Sequence, residues 1–509
     1  VRITALFEPR SEPAGLHALD APSLLLRMDV TSPAGRRDAR ADPVLELLAV
    51  RDGRLAPEQI CAVHEGAEEP DARHHGRVPG PGGRKRVTGD AAGTSMGMLS
   101  PVEREALGAQ ARAALEHGWR EGTTRGGVRY AYTRPASRYP EQFFWDSCFH
   151  AIAWSRLEPA RARAELRSLV AAQRPDGHIG HTIFWPGRVR ATRAHIYNVL
   201  SRGDAATWSI QPPLLGWAWA EVAARSPDDP GFAAEGVAPV AAFHDWLERE
   251  RADPDGLIGI LQPDESGMDA SPAYDGPLGL RAHPRPGFLI LVRFNRRRGY
   301  RYREIVADGG FHAIDPLVNA ALAMSWASLG RLGHPDGARR AARLTAAMVD
   351  RLWDPARGLF FAEGPDGRPL RVSTWASLAP LALEDLPAEI GRRLIDEHLL
   401  DPARYWLPYP VPSTAADERA FRAGRIGRIA PRYWRGPTWL FSTLPLLIGL
   451  ARAGRPESAR ELALRTARLV ARSGMREYYN PYTGEGLGAG PFATSAIALD
   501  ALLRVDGLP

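Results

Sequence analysis

Lysine is almost missing from this chain. Lys85 is the single lysine among 65 basic residues; the rest are arginine. A phosphate cradle built on a glycine-rich loop and a lysine is therefore not to be found. The net charge of +6 and the pI near 9.5 come from scattered arginines, with one denser run, "RFNRRRGYRYRE", at 293–304. Clustering, not pI, marks nucleic-acid binding, so that partner class is set aside. Cysteine is nearly as scarce. Cys61 and Cys148 cannot make a disulfide framework, and two cysteines suit a reducing compartment. Long apolar runs are lacking too. The longest, "TWLFSTLPLLIGLA" (438–451), is too short to span a bilayer. The first residues, "VRITALFEPRSEPAG", lack the basic-then-apolar layout of a signal peptide. A soluble, cytoplasmic protein with no membrane partner is expected. Its oligomeric state is open, a homo-oligomer included.

What is present is apolar and helical. Hydrophobic residues make up 44% of the 509, enough for a large core. Residues 1–64 hold short apolar runs such as "SLLLRMDV" and "VLELLAV", read as strands or an N-terminal appendage. Residues 65–99 are rich in Gly, Pro and Arg and read as a linker. From 100 onward, Ser100, Pro101 and Glu103 spell a capping box with proline at the first helical position.

Twelve helical segments then alternate in character. Those at 100–119, 159–173, 240–251, 336–353, 386–400 and 456–472 are amphipathic. Those at 144–157, 208–224, 314–330, 373–384, 436–451 and 491–503 are apolar on nearly every side. A helix apolar all round must be surrounded by protein. Six buried helices ringed by six amphipathic ones predict an all-α (α/α)6 toroidal barrel over residues 100–509. A solenoid of helical hairpins is the alternative. The connections favour the barrel. Those leaving a buried helix are short. Those entering one are long, at 121–143, 174–207, 252–313, 354–372, 401–435 and 473–490. In an antiparallel ring the long ones share one face, where function concentrates.

Two of those loops carry distinctive carboxylates. "LQPDESGMDASP" (261–272) holds Asp264, Glu265 and Asp269, and "GMREYYNPYTGEGLGAGP" (474–491) holds Glu477 and Glu485. Glycoside hydrolysis needs one carboxyl to protonate the leaving oxygen and another to activate water or attack. In the inverting case the two lie about 6.5–9.5 Å apart. Aromatics crowd the same loops, and sugar rings pack their C–H faces on aromatic rings. Trp145, Tyr433, Trp434 and Trp439 are candidates for that contact, with Asp146, Gln211, Arg435 and Asn480 as polar partners. His178 and His181 lack a third ligand nearby, so no metal is expected. No cofactor is expected either. Cys148 lies inside a buried helix and reads as core.

The segments "YPEQFFWDSCFHA", "DESGMDASP", "YWRGPTWL" and "EYYNPYTGEGLG" resemble, in order, the motifs of glycoside hydrolase family 63. The nearest branch is that of the bacterial mannosylglycerate and glucosylglycerate hydrolases, with trehalases more distant. The resemblance spans roughly residues 100–505. It implies hydrolysis of an α-glycoside with inversion, Asp269 as general acid and Glu477 as general base. It also places Trp145 and Asp146 at the non-reducing sugar, with Gln211, Tyr433, Trp434 and Trp439 around it. The expected substrate is a small cytoplasmic glycoside, glucosylglycerate or mannosylglycerate first. Trehalose, an α-gluco-oligosaccharide, and a non-hydrolytic carbohydrate-binding protein on the same scaffold are the alternatives. With an acidic aglycone, one arginine of 293–303 becomes a candidate ligand.

Overall fold

Ser100 and Pro101 open the first barrel helix by reciprocal capping. In the computed structural model the Ser100 hydroxyl accepts from the Glu103 amide at 3.3 Å, and the Glu103 carboxylate accepts from the Ser100 amide at 2.7 Å. The structure describes residues 99–185, 197–201, 203–279, 286–424 and 433–506, with two backbone segments at 23–26 and 46–49. The expected linker, apart from Leu99, lies outside the described residues, as does most of the expected appendage. Contacts divide the chain into units 1–90 and 91–509. In the first, Ser23–Leu26 and Glu46–Ala49 pair antiparallel, Ser23 opposite Ala49.

The second unit is helical. In chain order its described α-helices are α1 (Pro101–Gly118), α2 (Phe144–Trp154), α3 (Pro159–Ala171), α4 (Leu215–Ala223), α5 (Phe232–Glu235), α6 (Val237–Arg251), α7 (Asp275–Leu278) and α8 (Pro286–Arg297). They continue with α9 (Tyr302–Ala307), α10 (Pro316–Arg331), α11 (Gly337–Leu352), α12 (Ala388–Arg393), α13 (Thr443–Arg452), α14 (Pro456–Ser473) and α15 (Ile497–Val505). The inner ring is α2, α4, α10, a pair of 3-10 turns at Trp375–Ser377 and Ala379–Ala382, α13 and α15. Each inner element packs on the next, and α15 packs back on α2. That closure decides for a barrel over an open solenoid. The helix patterns explain the layering. Every residue of α10 from Pro316 to Leu329 is buried, while α11 buries one face through Ala341, Leu344, Met348 and Leu352.

Three segments differ from expectation. The fourth inner segment, expected as a helix over 373–384, is two 3-10 turns. Pro380 has no amide to donate, and its ring clashes with the carbonyl four residues back, so an α-helix cannot run through. The second inner helix starts at Leu215 rather than 208. Pro212 and Pro213 keep the preceding residues extended. The Arg-rich run at 293–304 is not a loop but the end of α8, a turn, and the start of α9.

The inner helices all start at one end of the ring, where the long loops lie. At the other end their carbonyl termini meet arginines, the favourable charge for that end of a helix. Buried Asp500 receives Arg156 at 2.6 Å and Arg504 at 2.5 Å, and Glu221 receives Arg225 at 2.8 Å and Arg504 at 2.6 Å. A cavity of about 330 Å³ opens there, lined among others by Trp217, Glu221, Arg331, Glu384 and Arg452. It is on the far side from Asp269 and Glu477.

Candidate active site

The site is assembled where inner helices begin. α2 has no side-chain cap of its own at Phe143. Its Trp145 amide instead donates to Gln211 Oε1 at 3.0 Å, from the extended stretch ahead of α4. Gln211 thus ties two adjacent inner helices at their amino ends. Asp146 follows in the first turn of α2, where the helix dipole favours an anion. Its Oδ1 accepts from the Thr494 hydroxyl at 2.9 Å. Burial pushes its pKa up to about 6, against the pull of nearby His150.

The "DESGMD" loop is held by its middle residue. Glu265 is fully buried and takes two bonds from Arg251, both at 2.9 Å, plus the amides of Ile210 (3.0 Å) and Leu261 (2.6 Å). With every lone pair occupied, it has no free role as an acid. Gly267 then caps the short turn with φ +79°, and a Cβ there would sit 2.5 Å from the Trp145 ring. Only glycine satisfies both the left-handed backbone and the close approach.

This turn delivers Asp269 to the pit. Its side chain meets solvent, yet protein walls the pit closely enough to raise its pKa to about 6. Loss of hydration is the larger cause and the Glu477 charge adds to it, while a hydrogen bond from Trp434 works in the other direction. Asp264 is also at this wall. Burial, with Glu265 beside it, pushes its pKa up to about 7. Its Oδ2 accepts from Asn198 at 3.2 Å and Gln262 at 2.8 Å.

Glu477 is in a different environment. Tyr139 donates to its Oε1 at 2.8 Å and the Ala489 amide to its Oε2 at 2.7 Å. The half-exposed Arg138 guanidinium lies 4.0 Å away, and Arg138 also donates to the Tyr433 hydroxyl at 3.2 Å. Two hydrogen-bond donors and a cation face this carboxyl. Gly488 makes room for it: φ is +69°, and a Cβ would come within 2.5 Å of Glu477 Oε2. Glu485, the other acid of this loop, is exposed on the turn. Tyr433 links the two carboxyls, since its phenol feels Glu477 and, more weakly, Asp269.

The aromatics form a stack. Trp434 lies on Trp439 (centroids 4.1 Å apart), Trp439 on Tyr478 (4.8 Å), and Trp145 on Phe441 (4.1 Å). Trp145, Trp434 and Trp439 are buried, so each offers an edge rather than an open face; Tyr433 and Tyr478 are the more accessible members. Trp434 sits at φ +60°, rare for a bulky residue. Thr414 holds its carbonyl at 2.9 Å, and the next residue, Arg435, is clamped to Asp275 at 2.6 and 2.8 Å. Arg435 is thereby a scaffold residue.

His178 is packed between Trp208 and Trp246, and His181 lies beside Phe143, 3.7 Å from Asp264. Within 293–303, Arg296 donates to the carbonyls of Tyr197 and Val199, and Arg298 and Arg301 pair with Asp308 and Glu304. Among the described residues, the cation that pairs with Glu477 is Arg138.

A family model described as the mannosylglycerate hydrolase MGH1-like glycoside hydrolase domain matches residues 139–495. The chain belongs to this family. It is a glycoside hydrolase of the mannosylglycerate hydrolase-like branch of family 63. The mannosylglycerate hydrolase of Rubrobacter radiotolerans is 30% identical over 446 residues, covering 79% of this chain and 97% of that one. The glucosylglycerate hydrolase of Mycolicibacterium hassiacum is 28% identical over 426 residues, 72% of this chain and 92% of that one. In structure, the family 63 mannosylglycerate hydrolase from Thermus thermophilus, solved with Tris and D-glycerate, aligns with a TM-score of 0.66. It is 29% identical, over 78% of this chain and all of that one. Within this hydrolase family fold, motif reading missed Arg138, Thr494 and Gly488. Arg138 stood next to Tyr139 in "SRYPEQ", the one cue available; Thr494 offered none.

Proposed function

We propose that this hydrolase is an inverting, cytoplasmic α-glycosidase acting on a small glycoside with an acidic aglycone, glucosylglycerate or mannosylglycerate. Asp269 is the general acid and Glu477 the general base. The observation that carries this reading is the contrast between the two carboxyls. Glu477 accepts hydrogen bonds from Tyr139 and the Ala489 amide beside the Arg138 guanidinium, the setting of a carboxylate that takes a proton from water. Asp269, closely walled by protein and beside the Glu477 charge, has its pKa raised to about 6, which favours the protonated form for delivery.

The reaction follows from those states. Glu477 takes a proton from a water as that water attacks the anomeric carbon. Asp269 gives its proton to the glycosidic oxygen as the bond breaks. The attack comes from the face opposite the departing aglycone, so configuration inverts. Asp146 and Gln211, fixed at the helix starts, receive sugar hydroxyls. Tyr433, Trp434 and Trp439 wall the pit and keep water out of it except where Glu477 needs it. The acidic aglycone is supported by the substrates named for the relatives and by Arg138, a half-exposed guanidinium beside the catalytic pair. A panel of glucosylglycerate, mannosylglycerate, trehalose and kojibiose tests the substrate class. Preference for trehalose or kojibiose would refute the acidic aglycone.

A further inference from the structure

Behind the site runs a buried polar chain that the proposed reaction does not use. Thr494 Oγ1 bonds both Asp146 Oδ1 and His150 Nε2, each at 2.9 Å. His150 Nδ1 lies 3.2 Å from Glu165 Oε1. Glu165 Oε2 accepts from Thr133 at 2.8 Å, which accepts from the Trp154 indole at 2.9 Å. His150, Glu165, Thr133 and Trp154 are wholly buried and Thr494 is 1% exposed. None of them reaches the pit surface as a ligand would.

Counting donors fixes what this chain can hold. The Trp154–Thr133 end points at Glu165, so Glu165 is an acceptor there. Between Asp146 and His150 stands one hydroxyl with one proton. If Asp146 is ionised, Thr494 donates to it and must accept from an Nε2–H. His150 Nδ1 and Glu165 Oε1 then share the remaining proton between them, whichever of the two atoms holds it. If Asp146 is protonated, it donates to Thr494, and Thr494 donates to a bare Nε2. The two forms carry the same number of protons. One passes into the other when the Asp146 proton moves to Thr494 and the Thr494 proton moves to His150. Removing that shared proton leaves two buried acceptors facing a single hydroxyl, which costs about as much as a broken buried hydrogen bond.

We propose that Asp146, His150 and Glu165 share one proton through Thr494, and that the chain holds Asp146 as the carboxylate that receives sugar hydroxyls. His150, Thr494 and Glu165 are then positioning residues, and their role rests on the reading of Asp146 as a sugar ligand. Two features favour the ionised form of Asp146. It lies in the first turn of α2, and His150, the ring that takes up the shared proton, is one turn further along the same helix, at i+4. Glu165, from α3, faces the ring from its other side. The remaining titratable groups facing the chain are Cys148, on α2, and Glu477, from the loop after α14. Glu477 opposes ionisation of Asp146, which is why the ring that takes up the proton behind it matters.

The test is the pH dependence of kcat/KM for glucosylglycerate in four variants, each checked for a wild-type melting curve. Thr494→Val keeps the volume and removes the relay. His150→Gln keeps a donor toward Thr494 and removes the ring that takes up the proton. Both should move the acid limb up by about one pH unit and raise KM more than they lower kcat. Thr494→Ser should leave the limb in place. Uniform loss at all pH values, or no change, in Thr494→Val and His150→Gln overturns the proposal. If neither folds, the unmodified protein still decides: ring-nitrogen NMR should show His150 Nε2 carrying a proton toward Thr494 at pH 7, and a bare Nε2 overturns the proposal. Asp146→Asn separates the two levels. Wild-type turnover in that variant would remove Asp146 from sugar binding altogether, whatever the relay does.

Discussion

Tyr139 donates its hydroxyl to Glu477 at 2.8 Å across 338 positions of sequence. The loop entering the first inner helix thereby supports the carboxyl that precedes the last. A donor to a carboxylate favours its ionised form. Tyr139→Phe should cut kcat roughly tenfold to a hundredfold, the worth of one hydrogen bond to a charged group. Steady-state kinetics checks this.

Arg138 is the described cation beside Glu477, 4.0 Å away. Arg138→Gln should raise KM for glucosylglycerate well beyond its effect on an uncharged glucosylglycerol analogue. Added salt should mimic the mutation in the wild type, because the guanidinium is half exposed and screened. Equal effects on both substrates would limit Arg138 to supporting Glu477.

The pKa shifts set the pH optimum. Asp269 must be protonated to act as the acid, and its pKa is raised to about 6. Activity should therefore fall as pH rises through that region. Asp146 must be ionised to accept sugar hydroxyls, and its pKa is also raised to about 6. Activity should fall as pH drops below it. The free-enzyme profile of kcat/KM should be a narrow bell near pH 6. A flat profile from pH 5 to 9 would contradict both assignments.

Gly488→Ala should abolish turnover without unfolding the barrel. The added methyl meets Glu477 Oε2 at 2.5 Å, and φ of +69° strains any other residue. Circular dichroism should stay unchanged while kcat falls at least a hundredfold.

Glu265→Gln should act through stability. It leaves the buried Arg251 guanidinium without its charge partner, at a cost of about 3–5 kcal/mol. Denaturant unfolding should detect this, and substrate affinity should fall with it as the Asp269 loop loosens.

The barrel was legible because a helix apolar on all sides has one structural meaning, and α10 shows it along nearly its whole length. Loop length then placed Asp269 and Glu477 on one face. What escaped depended on tertiary proximity or on single prolines. Pro380 breaks an apolar run whose composition otherwise reads as helix. Arg138 looks like any surface arginine until Glu477 and Tyr433 are brought beside it. Thr494 and His150 read as ordinary members of buried helices. Their link to Asp146 exists only because α15 returns to α2 when the ring closes. The carbohydrate platforms were legible as residue types but not as surfaces. Trp434 and Trp439 cover each other, which no spacing rule conveys.

The acid–base pair is tested most directly by the anomer first released. Proton NMR of the wild-type enzyme with glucosylglycerate, followed over the first minutes, should show β-glucose appearing before mutarotation supplies the α form. Release of α-glucose first would mean retention of configuration and would contradict Asp269 and Glu477 acting as an inverting pair.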